Sequence, residues 1–214
     1  MDQDIEIINT QTRIEKIRNF FINSKKKIFF SIFFLALILF SYFGLQEYNS
    51  SKKKQLAKNY NLNKIKFEVN GDKAIVSEFI EIINSKDETY SPLAFYFLLD
   101  NNLINSKENI NKYFNILIND LNLDNEMKNL TILKKGLYNS DFANENELLN
   151  ILNPLINSES TWKPHALLLM GEYYLSNEQM LKSKEFFQKI VELKDVNPKI
   201  KIDVERRLNR DFSE

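Results

Sequence analysis

The sequence predicts an all-α chain: one apolar helix near the N-terminus, then a solenoid of about four helix pairs closed by a C-terminal capping helix. Three observations predict it. The run IFFSIFFLALILFSYFGLQ, Ile28 to Gln46, carries no charge. Only four Gly and four Pro punctuate 214 residues, far fewer turn-formers than a sheet protein needs. Beyond the apolar run, segments with helical apolar spacing recur at a period near 35 residues, which points to stacked helix pairs.

Composition limits the function classes. Lys plus Arg equals Asp plus Glu at 29 each, so no global field favours nucleic acid or another polyanion. There is no cysteine, which removes disulfides, thiolate catalysis and Cys-ligated zinc. The abundance of Asn, Lys and Ile reads as a genomic composition bias.

Residues 1–27 form an N-terminal tail. Ile5, Ile8, Ile14, Ile17 and Phe21 fall near helical spacing, which fits an amphipathic segment on a membrane face; a mobile tail is the other reading. Residues 28–46, as a helix about 28 Å long, match the hydrocarbon thickness of a bilayer. Tyr42 and Tyr48 sit near one end, where amphipathic rings prefer the interface. A signal peptide would end in small residues, whereas FGLQEYNSSKKK follows this run, so the segment is expected to stay attached as a signal anchor. Cations tie across the span: Arg13, Lys16, Arg18 and Lys25 to Lys27 before it, and Lys52 to Lys54, Lys58, Lys64 and Lys66 after it. Lys25 to Lys27, directly against the apolar edge, tip the balance towards a cytoplasmic N-terminus.

Residues 47–214 form the helical repeat domain, with helices expected near 47–69, 73–85, 91–103, 107–120, 124–139, 145–157, 162–175, 178–194 and 198–210. NGDK, Asn70 to Lys73, marks the clearest tight turn. Gly136 and Gly171 lie 35 apart, as do the NIL triplets at Asn115 and Asn150. Stepping by that interval gives SEFIEIINS from Ser77, KYFNILIND from Lys112, ELLNILNPL from Glu147 and KSKEFFQKI from Lys182. Their sixth positions, Ile82, Leu117, Leu152 and Phe187, are all apolar. Pro92, Pro164 and Pro198 stand where the partner helices begin, because a first-turn residue needs no N–H donor. Ser91 and Asn197 can cap those starts.

The pair containing TWKPHALLLMGEYYL, Thr161 to Leu175, resembles the tetratricopeptide repeat. Trp162 and Pro164 mark its start, Gly171 supplies the small contact residue and Tyr174 the aromatic three positions on. Ser183 and Phe187 follow as the small and large positions of the second helix. Elsewhere the repeat is degenerate: Leu99 stands where Gly171 would, and Asn139 where Tyr174 would. With LQEYNSS at Leu45 to Ser51 and the closing VNPKIKIDVERRLNRDF at Val196 to Phe212, the chain resembles the bacterial ancillary subunits of the SecYEG translocon. The resemblance implies a single-span inner-membrane protein with a cytoplasmic N-terminus and a periplasmic helical domain. It further implies partners in the translocon and in membrane-anchored periplasmic chaperones.

No residue stands out as catalytic. Trp162 is either a ligand platform or a staple holding the helix start to the preceding pair. His165 is the sole histidine, so a metal site would need carboxylates alone beside it, and no activated nucleophile accompanies it. Carboxylate pairs such as Glu145 with Glu147, or Asp203 with Glu205, point to different helix faces. No phosphate-binding glycine motif occurs. YSPLAFYFLL and GEYYL either line a concave peptide groove or form buried stripes. The leading expectation is therefore a non-enzymatic membrane-anchored scaffold with no cofactor and no metal, its partner-binding residues unassigned. A scaffold for cell division or outer-membrane assembly, and a hydrolase centred on His165, are the alternatives.

Overall fold

The computed structural model describes residues 2–212, with side chains described for all of these except residues 2–14, 17, 21, 23 and 28. The expected amphipathic set Ile5, Ile8, Ile14, Ile17 and Phe21 thus lies outside the described side chains. Every regular element among the described residues is a helix: α1 (Asp2–Asn70), α2 (Ile75–Asn84), α3 (Tyr90–Asp100), α4 (Lys107–Asn119), α5 (Asn125–Asn139), α6 (Glu145–Ile156), α7 (Lys163–Ser176), α8 (Met180–Glu192) and α9 (Pro198–Asp211). The chain divides into two compact units, residues 1–56 and 57–214.

In the first unit the tail, the apolar run and the residues after it form one helix rather than separate elements. Gly44 is the sole residue in α1 of either helix-breaking type, and a lone glycine costs only about 1 kcal/mol against alanine. The residues from Ser24 onward include a stretch long and apolar enough to cross a membrane. Its rings face outward, with Phe29 and Phe30 each 70% and Phe40 77% exposed.

In the second unit local chemistry sets the helix ends. The side chains of Ser106, Asp124 and Asn197 accept first-turn amides of α4, α5 and α9. Asn144 and Glu147 form a reciprocal capping box on α6, each side chain taking the other residue's backbone N–H. The expected turn at Asn70 to Lys73 is present, with Gly71 at φ 64°, a left-handed value that suits a residue without a Cβ. α3 and α7 end alike. The amides of Leu103 and Gln179 reach back to the carbonyls of Leu98 and Tyr174, while Asn102 and Glu178 take positive φ.

Consecutive helices from α2 to α9 pack on one another, α5 also touches α7, and α2 touches α4. The last turns of α1 join through rings. Tyr60 lies 5.5 Å from Phe79, and Phe67 5.5 Å from Phe97, while Phe79 and Phe97 stack at 4.7 Å. The chain of rings continues from Phe95 to Phe114 at 4.7 Å and from Phe114 to Tyr138 at 6.1 Å. Phe79, Phe95, Phe114 and Phe187 are wholly buried, each contributing about 1.5–3 kcal/mol of transfer free energy.

Candidate functional site

The residues singled out in Thr161 to Phe187 fall into two groups. Gly171, Tyr174, Ser183 and Phe187 meet at the crossing of α7 and α8. A Cβ on Gly171 would sit 2.6 Å from Phe187 Cδ1, so the aromatic ring occupies the space that a side chain would need. Ser183 Oγ donates to the Gly171 carbonyl at 2.8 Å, tying the two backbones together in a fully buried position. Tyr174 is buried, with its ring 5.3 Å from Phe186 and its hydroxyl donating to Glu145 Oε1 at 3.0 Å. Lys182 closes that network with bonds of 2.7 and 2.9 Å to the two Glu145 oxygens. The Lys182 bond is the main cause holding the Glu145 carboxyl below its usual range, while burial and the bond to Glu145 push the Tyr174 phenol up to about 12.

Trp162, Pro164 and His165 gather at the start of α7. Trp162 is the N-cap residue and Pro164 is buried in the first turn. The indole and imidazole rings lie 5.4 Å apart on the same turn. His165 Nδ1 is buried without a hydrogen-bond partner among the described residues. These three line a cavity of about 290 Å³ with Asp195, Asn197 and Ile200. Among the described residues no group of three His, Asp or Glu side chains is placed to hold a metal ion.

The crossing of α5 and α6 is built like that of α7 and α8. A Cβ on Gly136 would lie 2.5 Å from Leu152 Cδ2, as one on Gly171 would meet Phe187, in each case sixteen residues on. Where Tyr174 stands in the later pair, Asn139 stands in this one. It is buried and exchanges two amide bonds with Asn111 of α4, at 3.1 and 2.9 Å.

Beside this crossing α4, α5 and α6 enclose a groove of about 290 Å³ whose wall carries Asn115, Asn119, Lys135, Asn150, Ile151 and Pro154. Lys135 Nζ donates to Asn115 Oδ1 at 2.8 Å, and no carboxylate among the described residues pairs with it. Burial alone pulls its ammonium below the ordinary lysine range. Pro154 lies inside α6, so the carbonyl of Asn150 lacks the N–H four residues on that would ordinarily bond it.

No family model, curated protein or solved structure matches this chain.

Sequence reasoning placed Asn115 and Asn150 in equivalent positions of successive segments but drew nothing from it. Pro154, a proline well inside a helical pattern, was the available signal, because it strips one carbonyl of its partner. Lys135 carried none, since its isolation from carboxylates arises only when three helices come together.

Proposed function

We propose that this chain is a membrane-anchored, non-enzymatic protein-interaction scaffold whose helix pairs stack as a tetratricopeptide-like solenoid. Ile28–Gln46 spans a bacterial inner membrane, residues 1–27 lie in the cytoplasm, and the helical domain from residue 47 lies in the periplasm. There it acts as an accessory factor at the SecYEG translocon, binding membrane-anchored periplasmic chaperones or emerging chains. One observation carries the reading: Gly136 presses on Leu152 and Gly171 on Phe187 by the same rule, 35 residues apart. Two helix pairs joined at equivalent glycines support repeating units, and stacked pairs present extended surfaces suited to binding other chains. The outward-facing rings of Phe29, Phe30 and Phe40 support the anchor, because water is a poor environment for such a band and lipid a good one. Tethering raises the local concentration of the helical surface near membrane complexes, so weak contacts suffice.

Crosslinking in intact membranes, followed by purification in mild detergent, tests this reading. Translocon or chaperone components should co-purify with the full chain. Their absence, with the chain itself recovered intact, contradicts the proposal.

A further inference from the structure

We infer that the groove between α4, α5 and α6 binds an extended acidic peptide segment, with a carboxylate of the peptide on Lys135 and a peptide N–H on the carbonyl of Asn150. This inference rests on the scaffold reading and names the chemistry of one partner.

Three features of the groove fit that occupant. The first is a cation without a counter-ion. Lys135 is drawn partly out of water and held by the neutral oxygen of Asn115 at 2.8 Å. A desolvated ammonium favours an anionic neighbour far more than an exposed one does. The second is the Asn150 carbonyl, which loses its i+4 donor at Pro154. A backbone acceptor short of its helical donor suits a chain whose own N–H groups are free, as those of an extended segment are. The third is the pairing of Asn115 and Asn150, 35 residues apart on α4 and α6. Each amide offers both a donor and an acceptor, the combination a peptide backbone requires. Ile118 and Ile132 form an apolar floor suited to a side chain next to the acidic one. At about 290 Å³ the groove sits at the small end of ligand pockets and takes a short strand of chain rather than a folded surface.

The test uses the full chain in detergent micelles and fluorescently labelled peptides alternating Asp with Leu, or Asn with Leu, read by anisotropy. The Asp peptide should bind about tenfold or more tightly than its Asn counterpart, the margin of a charge-assisted contact. Lys135→Met should remove that difference without lowering the melting temperature, since it deletes an unpaired, half-buried charge. Asn150→Asp, which places a competing carboxylate in the groove, should weaken the Asp peptide comparably. Pro154→Ala should restore the α6 hydrogen bond, raise the melting temperature and weaken both peptides.

Equal affinity for the two peptides, or no binding of either, overturns the inference. So does wild-type affinity in Lys135→Met, and so does inorganic phosphate binding as tightly as the Asp peptide, which would make this a plain anion site. Membrane-crosslinked partners that persist unchanged in Lys135→Met overturn the groove while the scaffold reading stands. If the wild-type chain captures no partner in membranes, the scaffold reading itself fails.

Discussion

At Gly171 the chain forgoes helix propensity, about 1 kcal/mol against alanine, to let a phenyl ring lie against its backbone. Gly136 makes the same exchange for the end of a leucine. The two should respond differently to alanine. Both side chains are wholly buried, but the contact on Gly136 is the end of a flexible leucine, whereas that on Gly171 is the edge of a rigid ring. Gly171→Ala is expected to lower stability by about 1–3 kcal/mol and Gly136→Ala by less, as read from urea unfolding. At Gly44, with nothing near its missing Cβ, alanine meets no clash and should gain only helix propensity, about 1 kcal/mol.

The Glu145 network gives the same region a dependence on pH. Bonding to Lys182 and Tyr174 keeps the folded carboxyl below its ordinary value of 4.5. Its contribution is therefore complete above the unfolded value and lost as pH falls through the lowered folded one. The Tyr174 phenol, raised to about 12 from an ordinary 10.0, contributes fully below pH 10 and loses that contribution as pH rises through 12. Glu145→Gln should flatten the acid limb of a stability–pH curve between the ordinary carboxylate value and the lowered one. A variant curve parallel to the wild type there would remove the network from the account.

At the scale of elements, the helix boundaries were legible because they rest on local chemistry. The Pro residues of the first turns, the cap at Asn197 and the turn at Gly71 all act within a few residues of themselves, whereas Ser91, expected to cap α3, lies inside it and donates to the Ile82 carbonyl instead. The continuity of α1 was not legible in that way. A tail, an apolar run and a lysine-rich stalk differ in composition, yet nothing between them stops a helix. Nor was the role of Asn139, which departs from the aromatic expected there and finds Asn111 on another helix 28 residues away. The groove of Lys135 belongs to the same class, for its neighbours come from three elements. The end of α7 offers a prediction of its own. Glu178 holds φ at 58°, a conformation that costs a side-chain-bearing residue about 1–2 kcal/mol. Glu178→Gly should raise stability by about 0.5–1 kcal/mol in thermal unfolding.

For the molecule as a whole, one apolar segment and one stack of helices carry separate parts of the proposal. From α2 through to α9 each helix packs on the next, with α2 also on α4 and α5 also on α7. On the proposed anchoring, the surface of these helices meets partners on one side of the membrane only. The absence of native cysteine allows that side to be read directly, since any single introduced thiol reports alone. Asn146, exposed in the first turn of α6, and Gln3, near the N-terminus, are suitable positions. In spheroplasts treated with a membrane-impermeant maleimide, Asn146→Cys should label at once, and Gln3→Cys only after lysis. Labelling of Gln3→Cys before lysis with Asn146→Cys protected, or recovery of both variants in the soluble fraction, would contradict an anchored scaffold facing the periplasm.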